Sequence, residues 1–179
     1  MKPPARLETA RLTLRLPTPE DAEAIYHTYA RDSEVTRYLT WRPHSDIRET
    51  HDYLRRCLES WRDGPSFTWA ITLKDKPADP PMGMFEVRIG SHDASLGYVL
   101  ARRHWNQGYM TELVGAISDW ALAQSDIYRV CAYCDTDNAA SCRVLEKAGL
   151  EREGVLHRWI VLPNLSNEPR DCYCYARVR

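Results

Sequence analysis

Two segments of the sequence combine residue types that can bind an anion and handle a proton. The first runs Leu96-Gly-Tyr-Val-Leu-Ala-Arg-Arg-His-Trp-Asn-Gln-Gly-Tyr-Met-Thr-Glu112 and reads as a strand, a short loop and a helix starting at about Gly108. A helix start presents main-chain N–H groups with no acceptor inside the helix, and with the helix dipole they suit phosphate oxygens. Gly108 permits a left-handed or closely approached backbone there, although a lone glycine before a helix is also an ordinary loop residue. Thr111 adds a hydroxyl donor, and Arg102 or Arg103 a positive charge. The second segment is Asn138-Ala-Ala-Ser-Cys-Arg-Val-Leu-Glu-Lys-Ala-Gly149. Asn138 and Ser141 lie one helical turn apart and share a face; simple N-capping is the competing reading.

A carboxylate for proton work is offered by Glu86. Its neighbours Phe85 and Val87 are apolar, so alternation turns Glu86 the other way, toward a cleft or toward solvent. The six cysteines invite a metal reading, with Cys131 and Cys134 followed much later by Cys172 and Cys174. That gap far exceeds the usual zinc-ribbon spacing, and two cysteines three apart in a strand point to opposite faces. Small buried hydrophobes are the expectation, with no metal.

These groups need a scaffold, and the composition allows one. Of 179 residues 44% are hydrophobic and 27% charged, enough apolar material to bury a core and too ordered a mix for disorder. The net charge of −1 removes the general argument for nucleic acid, because non-specific binding needs a basic surface. The opening MKPPARLETAR does not read as a signal peptide and no stretch is long and apolar enough for a membrane span, so the cytoplasm is expected. Without export, disulfides are not expected.

Arg11–Arg15 alternates as a strand. Thr18-Pro-Glu-Asp21 starts a helix with Ala22, Ile25, Tyr26 and Tyr29 inward. A second helix begins near Asp46, with Glu49 completing the cap and Ile47, Leu54, Leu58 and Trp61 on one face. Strands over 67–73, 82–89 and 95–101 read as an antiparallel meander. A helix over 108–123, a strand over 128–134 and a short helix over 139–148 with Gly149 at its C-cap follow. Strands near 152–162 and 172–178 close the chain. The pattern predicts one α+β or α/β domain filling residues 1–179, with helices around a mixed sheet.

Taken together, the two chemistry-bearing segments resemble the GNAT superfamily of acetyl-CoA-dependent N-acetyltransferases, and within it the ribosomal-protein-alanine (RimJ/RimL) branch. The resemblance rests on Glu8-Thr-Ala-Arg-Leu-Thr-Leu-Arg15, Tyr38-Leu-Thr-Trp41, Leu96-Gly-Tyr98, Trp105-Asn-Gln-Gly-Tyr-Met-Thr-Glu112, and Asn138-x-x-Ser141 through Lys147-x-Gly149. It implies a mixed, mostly antiparallel sheet, flanked by helices and splayed between its fourth and fifth strands, here 95–101 and 128–134. Acetyl-CoA would lie in the splay, its pantetheine arm pairing with main chain at Val99 and Leu100. Its pyrophosphate would rest on the amides of Trp105, Asn106, Gln107, Gly108, Tyr109, Met110 and Thr111, and Asn138 would bond the arm from the facing side. Two departures stand out. Met110 replaces the small residue that usually ends the loop pattern, where it would crowd the cofactor. Leu145 replaces the tyrosine that many members use as proton donor.

With Leu145 unable to give a proton, the resemblance puts Ser141 against the leaving thiolate, which needs little more than a positioned hydrogen bond. Glu86 is the candidate base, with Tyr98 and His157 behind it, and a strand amide near Val99 or Leu100 would hold the oxyanion. Tyr38, Trp41, Trp159 and the 163–170 loop are expected to meet the acceptor. That acceptor is a primary amine, a protein N-terminus as in the branch or a small amine. A non-catalytic CoA-binding module and a zinc-binding domain are the rival readings. Monomer and homodimer both stay open.

Overall fold

A computed structural model describes residues 1–179. The strands β1 (Leu7–Glu8), β2 (Leu12–Arg15), β3 (Ser66–Leu73), β4 (Gly83–Ile89), β5 (Asp93–Leu100), β6 (Arg129–Asp135), β7 (Glu151–Val161) and β8 (Pro169–Val178) form one eight-stranded sheet in the order β1-β2-β3-β4-β5-β6-β8-β7. Every neighbouring pair is antiparallel except β5 and β6. The meander read from the sequence is β3-β4-β5, and the expected mixed, mostly antiparallel sheet is present. The splay read as fourth against fifth strand falls between β5 and β6, because the two-residue β1 adds one to the count.

The helices are α1 (Asp21–Ile25), which runs on as a π-helical turn over Tyr26–Ala30, α2 (Ser33–Thr36), α3 (Ile47–Asp63), α4 (Tyr109–Leu122) and α5 (Ala139–Lys147). Alternation along the strands builds two cores. On one face Phe85 and Val87 of β4 and Val130 and Ala132 of β6 meet Leu113, Val114 and Ile117 of α4 and Leu145 of α5. On the other, Ala70 of β3 and Met84 of β4 meet Ile25, Tyr29, Ala30 and Leu54. Burying side chains of this size contributes about 1.5–3 kcal/mol each before the entropy of ordering them is counted. α2 and β1 escaped the sequence reading. Four residues are too few to show a helical period, and α2 forms because the Asp32 carboxylate accepts from the Glu34 N–H at 2.9 Å.

The expected start of α3 holds, whereas α1 begins later than expected, with Glu20 rather than Thr18 as its N-cap and no side chain capping it. Asp46 caps α3 by accepting from Arg48 N–H at 2.8 Å, while Glu49 reaches back to Ser45 rather than to the cap itself. Near Thr18 the partners are reciprocal in another way. Thr18 N–H donates to the Asp21 carboxylate at 2.8 Å, and Arg15 grips the same carboxylate from the side.

Candidate functional site

β5 and β6 pair only over Asp93–Ser95 and Arg129–Cys131, and beyond that they diverge. A cleft of about 680 Å³ opens there and passes through the sheet. Ala101 N–H donates to Met82 O at 2.8 Å, which fixes the parity of β5. Odd-numbered residues aim their main-chain groups at β4 and even-numbered ones at β6. Val99 O accordingly lies where a side chain on Gly83 would strike it, so Gly83 is needed for this close approach. Val99 therefore engages β4, and the main-chain pairing expected of it is not available. The free groups along the divergent edge belong to Tyr98 and to the N–H of Leu100. The Leu100 carbonyl is already bonded by Trp105 Nε1 at 2.7 Å.

The loop before α4 is shaped by two left-handed residues, Asn106 (φ 59°) and Gly108 (φ 75°). Gly108 is the N-cap of α4 and no side chain caps it, so the N–H groups of Tyr109, Met110 and Thr111 have no acceptor inside the helix. All three residues line the cleft, as do Trp105, Asn106 and Gly108. Gln107 does not. Arg11 bonds its carbonyl at 2.9 Å and its side chain turns back to Arg103 O, so its place among the expected cofactor contacts is not supported by its position. Arg11 also pairs with Glu112 at 2.7 Å and lies over the Tyr109 ring at 4.6 Å. Burial would raise the Glu112 carboxyl, but Thr9, Arg11 N–H and the guanidinium together hold it below its ordinary value.

Met110 does not crowd the cleft as expected. Its side chain is buried in the larger core, because the second position of α4 faces inward. Nor do Arg102 and Arg103 supply the nearby charge. Arg102 is paired with Asp32 at 2.7 Å and neither arginine lines the cleft. The cations on its wall that lack an ion-pair partner are Arg37 and, on α5, Arg143 and Lys147.

Across the gap, both readings of Asn138 have atoms to satisfy them. Its Oδ1 accepts from Ser141 N–H at 3.1 Å, capping α5, and its amide N–H groups are left over. Ser141 Oγ lies 2.8 Å from Tyr98 Oη. Tyr98, stacked on Phe85 with ring centroids 6.0 Å apart, is pushed well above its ordinary pKa by burial and stays a phenol. Cys134 and Cys142 bring their sulfurs to 3.5 Å beside this pair. Leu145 is 0% exposed and packs in the core, outside the residues that line the cleft.

Glu86 lies on the opposite face of the sheet, as parity with Met84 requires, and it lines the cleft rather than facing open solvent. Arg88 holds it at 2.8 Å and Ser66 Oγ donates to its other oxygen. Tyr38 and Trp41 line this end as well. Asn164 fixes that wall by donating to Thr36 O at 2.7 Å and Trp41 O at 2.8 Å. Trp159 does not join them. It is 53% exposed and tilts against Tyr133 with centroids 5.5 Å apart, outside the cleft lining. The irregularity between Leu156 and Ile160, with Arg158 at φ 51°, resets the alternation of β7 and turns Ile160 inward instead. His157 is likewise occupied elsewhere, 2.8 Å from Asp171. Sequence reasoning did not place Tyr133, Leu162 or Cys172 at the cleft, yet they line it; strand register, unreadable from composition, brings Tyr133 and Cys172 there.

An anionic thioester with an extended arm fits this geometry. The strand edge offers unpaired main-chain groups to the arm, the uncapped start of α4 faces the same space, and Arg143 and Lys147 stand at its rim. No group of three or more His, Cys, Asp or Glu side chains is arranged to hold a metal ion. No helix is long and apolar enough to cross a membrane.

Residues 11–151 match the acetyltransferase (GNAT) domain family. The chain is 29% identical over 174 residues to Uncharacterized N-acetyltransferase YoaA of Bacillus subtilis, covering 97% of this chain and 96% of the relative. It is 26% identical over 169 residues to the [ribosomal protein uS5]-alanine N-acetyltransferase of Escherichia coli, covering 89% and 85%. In fold it is similar to the microcin C7 self-immunity acetyltransferase MccE, solved with acetyl-CoA and AMP, with a TM-score of 0.86 at 20% identity over 99% of this chain and 98% of the other.

Proposed function

The chain belongs to the GNAT acetyltransferase family and is an acetyl-CoA-dependent N-acetyltransferase, and on that premise we propose that it acetylates the α-amino group of a protein N-terminus, of the ribosomal-protein-alanine type. The observation that carries this reading is the cleft where β5 and β6 part, lined by residues from both faces of the sheet. The acetyl donor enters from the α4–α5 face and the amine from the face of Glu86, Tyr38 and Trp41.

Bound there, acetyl-CoA supplies an activated acyl group on a sulfur that can leave. Tyr98 holds its arm by main-chain bonds at the strand edge, with the Asn138 amide opposite. Gly108, Tyr109, Met110 and Thr111 present N–H groups to the pyrophosphate, and Arg143 and Lys147 offset the remaining phosphate charge. The Leu100 N–H is placed to stabilise negative charge on the acyl oxygen. Glu86 accepts, directly or through water, the proton that the attacking amine loses. Ser141 Oγ–H bonds the sulfur as the C–S bond breaks and its electron pair passes to sulfur. Trp105 closes the near wall of the arm's channel with its indole bonded to Leu100 O.

A small amine is the second reading, favoured by the AMP bound with acetyl-CoA in the MccE structure of the same fold. Thiol release from acetyl-CoA, measured over peptides beginning with Ala, Ser or Met and over polyamines and amino acids, decides between them. An alanine peptide should give the highest kcat/KM. A free amine that outruns every peptide refutes the N-terminal assignment. The two inner roles are checked in the same assay: Ser141→Ala should lower kcat with acetyl-CoA binding intact, and Glu86→Gln should shift the pH profile of kcat/KM.

A further inference from the structure

We infer that Tyr98 is a positioning residue of the transfer step: its hydroxyl donates to Ser141 Oγ and so turns the serine's own proton toward the sulfur. The inference rests on the reading of Ser141 given above. The oxygens are 2.8 Å apart, and the geometry alone permits either to donate. The chemistry selects one direction. A phenol is much the stronger acid of the two, with an ordinary pKa of about 10, and so the better donor. A serine hydroxyl has one proton and two lone pairs; accepting from Tyr98 fills one lone pair and leaves the proton free to point elsewhere.

Two further observations hold the pair in place. Ser141 is held at its own N–H by Asn138 Oδ1, which fixes the backbone that carries the hydroxyl. The Tyr98 ring is clamped against Phe85 and has no other hydrogen-bond partner for its hydroxyl. With one lone pair taken by Tyr98, the serine's proton is left for an acceptor in the cleft that Ser141 lines. Burial also keeps Tyr98 protonated, so the donor persists at alkaline pH. Two hydroxyls in series polarise one another, which strengthens the outer bond to a nascent thiolate.

The test reads the free thiol of CoA itself. CoA is bound to the wild type, Tyr98→Phe, Ser141→Ala and the double variant, and its thiolate is followed by ultraviolet absorbance against pH. Matched complexes with desulfo-CoA subtract the protein's own thiols and phenols. In the wild type the bound thiol should titrate below its value in Ser141→Ala by about one unit, a tenfold stabilisation of thiolate. Tyr98→Phe should lose most of that difference, and adding it to Ser141→Ala should change nothing further. CoA affinity at pH 6, where the thiol is protonated, should stay within about twofold, as expected for loss of a bond felt mainly by the charged form. A Tyr98→Phe thiol that titrates like the wild type overturns the inference while Ser141 stands. So does a Tyr98→Phe shift that persists in the Ser141→Ala background, or loss of CoA binding at pH 6. A Ser141→Ala thiol that titrates like the wild type removes the serine reading and this inference with it.

Discussion

Gly108→Ala isolates the cost of the backbone at the start of α4. Gly108 sits at φ 75°, and a Cβ there would meet only Arg11 Nη2 at 3.5 Å, an ordinary contact. Crowding therefore contributes almost nothing, and the whole effect is the left-handed conformation, about 1–2 kcal/mol for an L-residue with a Cβ. That amount must surface in one of two places. If the loop keeps its shape, stability falls by about 1–2 kcal/mol, or about 2–8 °C in Tm for a chain of this length. If the loop relaxes, the N–H groups of the first turn turn away and the Kd for acetyl-CoA rises up to about tenfold for each 1.4 kcal/mol. Urea unfolding together with calorimetric titration of acetyl-CoA captures both, and the two losses should sum to about 1–2 kcal/mol. Gly108→Asn is the control, because asparagine tolerates this conformation, as Asn106 does two residues earlier at φ 59°. Alanine leaving both quantities unchanged, or asparagine costing as much as alanine, would refute the reasoning.

Asn164→Ala strips the donors from Thr36 O and Trp41 O and should cost about 1–3 kcal/mol in urea unfolding. It should raise KM for the acceptor and leave KM for acetyl-CoA alone. Leu145→Tyr, which restores the tyrosine that many superfamily members carry, should destabilise by about 1–3 kcal/mol because the site is core. It should fail to rescue Ser141→Ala in the thiol-release assay. Burial would raise the Asp135 carboxyl, but Arg170 at 2.6 Å and the Asp137 N–H hold it below its ordinary value. A depressed native pKa stabilises above the unfolded value of about 3.9 and loses that contribution as pH falls through the native one. Asp135→Asn should therefore be less stable than the wild type at pH 7, with the gap in urea midpoints closing below about pH 4.

The sequence carried the parts of this molecule that local chemistry decides. Gly108 could be placed before a helix because only the glycine makes that turn cheap, and Asn138 and Ser141 because one turn of helix sets their spacing. What depends on a partner strand was not legible. Counting along 95–101 cannot say whether odd or even residues face the gap; the bond from Ala101 to Met82 decides it and transfers the edge from Val99 to Tyr98. Trp159 was misplaced for a related reason, since a bulge in β7 breaks the alternation that a strand reading assumes. The crowding expected of the Met110 side chain and the cleft position expected of Gln107 are both absent: one side chain faces the core, and the other residue is held from outside by Arg11, 96 positions upstream. The Tyr98–Ser141 contact joins residues 43 positions apart, so neither residue announces the other.

The grip of Arg11 and Thr9 on Glu112 has a consequence for the newborn chain. Their partner lies 101 to 103 positions downstream. At the usual pace of translation, that separation is a delay of roughly five to twenty seconds. Through that interval the turn between β1 and β2 waits with its guanidinium unmatched, and the loop that faces the phosphates has no outer brace. The cofactor-binding end is thus among the later parts of the molecule to be completed. Acetyl-CoA can reward the finished protein by mass action, but it has nothing to hold while the first half is still being made.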